Sequence, residues 1–268
     1  MTINSSAGPA RQETPAIDVW LATPTFADDR QRHAFQALLS QDERIRLQRF
    51  VANDARDQFL AARVLLRTAL STCADVPPTA WSFGAAPFGK PCIVAPKDGR
   101  NLHFNVSHTA GLVACAISRH GEIGIDVENT QGAIDPLAIA DHAFAPAETE
   151  MLKQLDGSRR LAYFHSLWTL KEAYIKARAS GLSFPLDAFW FELGDGSARA
   201  HFSARCRDAA ENWHFFQRDI TAHHKLALAV PIPANQVLDV RFRWATPQAN
   251  HPMPAHSTGA PAFKMHEV

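Results

Sequence analysis

Two carboxylates stand in a run that alternates like a β-strand, Gly124-Ile125-Asp126-Val127-Glu128. Alternate residues of a strand share a face, so Ile123, Ile125 and Val127 turn to a core while Gly124, Asp126 and Glu128 turn the other way. The two acids would then be roughly 6.5–7 Å apart at Cα. Hard oxygen donors so placed suit Mg²⁺, which takes one or two carboxylates beside waters and substrate phosphates. Gly124 would let a ligand approach the backbone closely. An edge strand with two solvated acids has the same spelling, and the pentapeptide alone leaves both readings open.

A third acid comes from the stretch Trp168-Thr169-Leu170-Lys171-Glu172-Ala173-Tyr174-Ile175-Lys176. At about 100° per residue, Leu161, Phe164, Trp168 and Ile175 make one apolar stripe, and Glu172 falls inside it. A solvated Glu172–Lys176 pair would sit more naturally on the polar face. A carboxylate on a face meant for burial needs a cationic partner. Glu172 is therefore the natural third ligand to a cation held by Asp126 and Glu128, and a candidate base, with Lys176 left to meet an anion.

Other stretches offer contacts to phosphate. Phe104-Asn105-Val106-Ser107-His108 reads as a strand entering the turn Thr109-Ala110-Gly111, where a hydroxyl, backbone N–H groups and an imidazole suit phosphate oxygens. No G-x-S-x-G is present, and adjacent Ser and His pair poorly as nucleophile and base. Gly89-Lys90-Pro91 is not a Walker A loop, but a freed glycine and a stiff proline would aim Lys90 at a ligand. Between Arg44 and Arg67 six arginines face two aspartates, with Arg56, Arg63 and Arg67 on one side of a helix over 54–72. Guanidinium forks suit phosphate, although solvated helix decoration is spelled the same way.

The elements that must position these groups are short. A strand is expected at 17–21, helices at 30–39 and 42–73 with a break at 52–54, and strands near 80–83, 91–94, 102–107 and 111–118. The order then restarts with a strand at 122–128, helices over 146–179, and a β meander from 187 to 244. A cut near residue 120 gives two α+β halves, 16–120 and 121–245, between tails at 1–15 and 246–268 rich in small polar residues and proline. Arg56, Phe59, Leu60 and Arg67 echo Arg160, Tyr163, Phe164 and Lys171 at an offset of 104. The echo suggests a pseudo-dimer with a ligand cleft between its halves, although two amphipathic helices would give as much by chance.

Across 268 residues 27 basic and 27 acidic side chains cancel, which argues against a bulk grip on nucleic acid or an anionic membrane. No apolar run is long enough to span a bilayer, and the start lacks a secretory pattern. Four scattered cysteines without C-x-x-C suit neither a disulfide framework nor a zinc site, so a cytoplasmic protein is expected.

Taken in order, GKP at 89–91, FNVSH at 104–108, GIDVE at 124–128 and WTLKEAYIKA at 168–177 resemble the signature blocks of the Sfp-type 4'-phosphopantetheinyl transferases. The segment ending Arg67-Thr-Ala-Leu, and Gly181-Leu-Ser-Phe-Pro-Leu-Asp, are also similar. The resemblance spans about residues 40–190. It implies an α+β pseudo-dimer of two similar halves, with coenzyme A and Mg²⁺ in the cleft between them. It also implies transfer of phosphopantetheine to a serine of an apo acyl or peptidyl carrier protein, with release of adenosine 3',5'-bisphosphate. By the same resemblance Asp126, Glu128 and Glu172 hold the metal, and Glu172, Lys176 and Glu148 are catalytic. Arg44, Arg46, Arg67, Lys90, Asn105, Ser107, His108 and Lys176 bind the coenzyme. A chain that contains both halves is expected to work as a monomer. A non-catalytic coenzyme A or nucleotide binding module, and a metal-dependent pyrophosphate phosphodiesterase, remain as alternatives.

Overall fold

The computed structural model describes residues 14–181, 184–194, 197–248 and 262–267. Strand β1 (Ala16–Ala22) leads into α1 (Asp29–Gln36), α2 (Gln41–Gln48) and α3 (Asn53–Cys73), then into β2 (Ser82–Ala85), β3 (Pro91–Ala95), β4 (His103–Thr109) and β5 (Leu112–Ser118). Next come β6 (Gly124–Asn129), α4 (Pro136–Ala143), α5 (Pro146–Gln154) and α6 (Gly157–Ala177). The hairpins β7 (Phe189–Gly194)–β8 (Ser197–Phe202) and β9 (His214–Thr221)–β10 (His224–Val230) follow, then β11 (Asp239–Gln248) and β12 (Ala262–Glu267). Among the described residues no helix is long and apolar enough to cross a membrane.

The sheets do not follow the cut at residue 120. One runs β12-β11-β1-β5-β4 and another β6-β10-β9, while β2-β3 and β7-β8 are separate two-stranded ribbons. The expected meander over 187–244 is therefore divided among three sheets. Its final strand, β11, returns to the first half and pairs in parallel with β1, Ala16 opposite Asp239. The tail expected over 246–268 also needs correction. Residues 246–248 continue β11, and 262–267 pair with it antiparallel as β12. Residues 249–261 lie outside the described residues, as does all but the end of the expected tail at 1–15.

Alternation within the strands builds a helix–sheet–sheet–helix stack. Leu60, Val64 and Leu65 of α3 pack on Trp20, Val113, Cys115 and Ile117. The opposite face of that sheet, with Ile17, Val19, Ala114 and Ala116, meets Ile125, Val127, Leu226 and Leu228 of the second sheet. Beyond it, Leu167, Leu170 and Ala173 of α6 cover Ala227 and Ala229. The inward course of Ile123, Ile125 and Val127 expected from period two is observed.

The two halves join along β4 and β6 through side chains. Asn105 Oδ1 accepts from the Ile125 N–H (2.9 Å), Ser107 Oγ from Val127 (3.3 Å) and Thr109 Oγ1 from Asn129 (3.2 Å). Every second residue of β4 thus satisfies a backbone donor that β6 does not give to a neighbouring strand.

The internal echo has a structural counterpart. α3 and α6 are both 21 residues long. Arg67 on α3 pairs with Glu43 (2.6 Å) and donates to the Pro78 and Trp81 carbonyls (2.9 and 2.8 Å). Lys171 on α6 pairs with Glu148 (2.8 Å) and donates to the Leu186 and Phe189 carbonyls (2.8 and 2.6 Å). Each glutamate reaches back to a backbone N–H at the start of its own short helix, Glu43 to Ser40 (2.9 Å) and Glu148 to Ala145 (3.0 Å). Each cation ties the long helix, the start of the short helix and the turn into a two-stranded ribbon.

Candidate active site

Strand β6 lies directly under α6 because Gly124 has no side chain. A β-carbon there would collide with the Ala173 carbonyl oxygen and the Ala177 nitrogen. The expected reason for this glycine, close approach of a ligand, is thus replaced by close approach of a helix. The contact brings Asp126 and Glu128, on the same face of β6, beside Glu172 and Lys176 on α6.

Asp126 is buried, 3% exposed. Its Oδ1 accepts from Lys176 Nζ (2.6 Å) and Ser107 Oγ (3.0 Å). Ser107 Oγ in turn accepts from Lys176 Nζ (3.1 Å). Asp126 Oδ2 is buried with no hydrogen-bond partner among the described residues. Glu128 Oε1 accepts from the Trp168 indole N–H (3.1 Å). Burial and the adjacent Asp126 charge push the Glu128 carboxyl up to about 7, against the pull of the indole and Lys176. Burial also raises Glu172, with Lys176 opposing and Asp126 adding to the shift. The three acids feel one another, as expected of groups that share a site. Among the described residues, however, no group of three His, Cys, Asp or Glu side chains stands ready-made to hold a metal ion.

Positive charge gathers beside the acids. His108 is exposed, and its imidazole is held below the usual range by partial desolvation, then by Lys176, Arg63 and Arg46. Arg46 and Arg63 both lie over the Phe59 ring, 5.2 and 5.4 Å from its centre. A cleft of about 320 Å³ between the halves is lined by Phe88, Lys90, Asn105, Glu172, Lys176 and Gly181. A second hollow of about 560 Å³ begins at Glu128 and Trp168 and runs to Ile134 and Ile139.

Several expected ligands are engaged elsewhere. Arg67, 1% exposed, and Glu148, 1% exposed, are buried in the paired staples, away from the cleft. Both side chains are held in structural pairs, and neither lines the cleft where the coenzyme role expected of Arg67 and the catalytic role expected of Glu148 would be exercised. Arg44 turns back to the Leu39 carbonyl. Lys90 lines the cleft, but its ammonium is tied to Glu122 (2.6 Å) and to the Ile123 and Ala177 carbonyls (3.0 and 3.3 Å). Asn105 and Ser107 serve the seam, and Ser107 orients Asp126 as well. Of the residues expected to meet coenzyme A, Arg46 and Lys176 lie near enough to His108 to act on its imidazole. Arg63 joins them. Its place on the arginine face of α3 was legible, but nothing in the spacing separated it from the buried Arg67. The role of Trp168 as a donor was missed because its position on an apolar stripe read only as packing.

Residues 26–120 match the model of the 4'-phosphopantetheinyl transferase N-terminal domain, and residues 122–230 match that of the 4'-phosphopantetheinyl transferase superfamily. The chain is 33% identical to a 4'-phosphopantetheinyl transferase of Bacillus subtilis over 216 residues, 80% of this chain and 91% of the relative. The chain belongs to the 4'-phosphopantetheinyl transferase superfamily. The transferase Sfp of Bacillus subtilis strain 168 is 32% identical over 65% of this chain and 75% of its own length. HetI, a transferase of Nostoc, is 34% identical over 62% of this chain and 70% of its own. The superfamily's two matched regions meet where β4 packs along β6, the seam that carries Asp126 and Glu128 of this transferase.

Proposed function

We propose that this chain transfers the 4'-phosphopantetheine group of coenzyme A to a serine hydroxyl of an apo carrier protein, with Mg²⁺ held by Asp126, Glu128 and Glu172. The observation that carries the metal is the buried, unpartnered Asp126 Oδ2 beside two further carboxylates whose protonation is favoured by burial first and then by the Asp126 charge. An orphaned buried oxygen is costly, and like charges this close call for a cation. The residues present therefore fit a divalent ion.

When bound, Mg²⁺ supplies charge neutralisation on the pyrophosphate as its P–O bond breaks. Lys176 reaches Asp126 from one side and lines the cleft on the other, so it also meets phosphate oxygens. Arg46, Arg63 and His108 receive the remaining phosphate charge of the coenzyme and orient it. Glu172, raised by burial, accepts the proton of the incoming serine hydroxyl. The serine oxygen bonds to the phosphorus that carries the pantetheine. The bond from that phosphorus to the bridging oxygen breaks, and adenosine 3',5'-bisphosphate leaves with the electron pair. Alignment and charge stabilisation are the main needs of phosphoryl transfer. One chain supplies both walls of the cleft, which supports a monomer, and its four free cysteines support the reducing cytoplasm.

Incubation with coenzyme A, Mg²⁺ and an apo carrier tests this reading. A carrier that gains the phosphopantetheine mass supports it. Coenzyme cleavage without any carrier would instead indicate a phosphodiesterase, and binding without turnover a non-catalytic module.

A further inference from the structure

We propose that Trp168 is a positioning residue that fixes Glu128 for the divalent cation and so sets the cation's affinity. The inference rests on the metal reading of the three acids. Glu128 lies at the end of β6, half-buried beside two other carboxylates. Left alone, its long side chain would turn away from them to relieve repulsion. The Trp168 indole N–H stands 3.1 Å from Oε1 and prevents that turn.

The indole is itself held rigidly. It stacks on Phe164 at 5.9 Å between ring centres and 17° between planes, and Phe164 stacks on Phe144 at 5.4 Å and 24°. Trp168 also lies one helical turn before Glu172 on α6, so one rigid element carries the donor and the third acid. The two strand acids are treated alike. Ser107 and Lys176 engage Asp126 Oδ1 and leave Oδ2, whereas Trp168 engages Glu128 Oε1 and leaves the other oxygen. Groups that orient metal ligands in this way typically change affinity by about 10–100-fold when removed.

The test is Mn²⁺ binding to the isolated protein, read by the loss of the free-ion electron paramagnetic resonance signal, so that turnover is not needed. Trp168→Phe keeps a ring for the stack and removes the donor. Mn²⁺ affinity is expected to fall about tenfold or more, while the unfolding transition stays cooperative. In a Glu128→Ala background the same substitution should have no further effect on affinity, as a double-mutant cycle requires. Trp168→Leu, which also lacks the donor, repeats the cycle if the phenylalanine variant does not fold. Unchanged affinity in the single variant overturns the proposal, as does an equal loss with and without Glu128. Failure of the unaltered protein to bind Mn²⁺ removes the metal reading itself, and this proposal with it.

Discussion

Replacing Glu148 with Gln separates a structural acid from a catalytic one. Lys171 is 0% exposed and Glu148 1%, and the ammonium meets Glu148 as its counter-ion, two carbonyls and the faces of the Phe144 and Phe189 rings. Glutamine keeps the size and an acceptor for the Phe191 N–H, now 2.9 Å from Glu148 Oε1, but it leaves a buried positive charge without its counter-ion. Breaking a buried pair from one side costs about 3–5 kcal/mol. At about 2–4 °C per kcal/mol for a chain of this size, the melting temperature should fall about 6–20 °C. Calorimetry gives that number, and the carrier assay at 25 °C gives kcat/KM for the fraction that is folded. Because the pair lies away from the cleft, kcat/KM should remain near that of the unaltered protein. Replacing both partners, with Leu at 148 and Met at 171, should recover much of the loss, since well-packed apolar substitutes for a buried pair are often neutral. A Gln variant that unfolds normally yet loses about a hundredfold in kcat/KM, about 2.7 kcal/mol of transition-state stabilisation, would refute the reasoning and return Glu148 to the chemistry.

Glu172→Gln should abolish transfer while cooperative unfolding persists, as mass spectrometry of the carrier and circular dichroism would report. Full activity would remove Glu172 from proton transfer. Arg63→Ala should raise KM for coenzyme A about tenfold, roughly the 1.4 kcal/mol of one charge-assisted contact, and leave KM for the carrier unchanged. Steady-state kinetics with each substrate varied in turn decides it. For metal-free protein, Glu128 binds its proton more tightly folded, at about 7, than the ordinary carboxyl near 4.5. Its contribution to stability is therefore undiminished below about 4.5 and is lost as pH rises through 7, by at most about 3 kcal/mol. Denaturant titrations at pH 5 and pH 8 should show that fall, and Glu128→Gln should flatten it.

The placement of the acids on one face was legible because it obeys local periods. Asp126 and Glu128 are two apart on a strand, Glu172 and Lys176 four apart on a helix, and both spacings survive folding unchanged. The offset of 104 was legible for the same reason, as two helices of equal length. Charge was harder to read. A buried Arg67 and a partly exposed Arg63 are four residues apart on one helix face and both reach Glu43, and what sets Arg67 apart is its bonds to the Pro78 and Trp81 carbonyls. Gly124 misled because a glycine reports crowding without naming what crowds it. Helix α4, eight residues opened by Pro136 and capped by Asp135, was too short for its period to emerge. Strand β11 was read as the end of a meander because pairing across more than 200 residues leaves no trace in composition, and β12 was read as part of the proline-rich tail.

The parallel pairing of Ala16 with Asp239 also bears on biosynthesis. As the polypeptide leaves the ribosome, β1 and its neighbour β5 appear before the acids of the cleft, and its other neighbour β11 only after every one of them has been translated. Until then one edge of β1 offers unpaired backbone groups to whatever is nearby. The opening hundred residues are thus not expected to mature ahead of the remainder. A message truncated just before codon 239 would encode every acid of the cleft and still yield no working product.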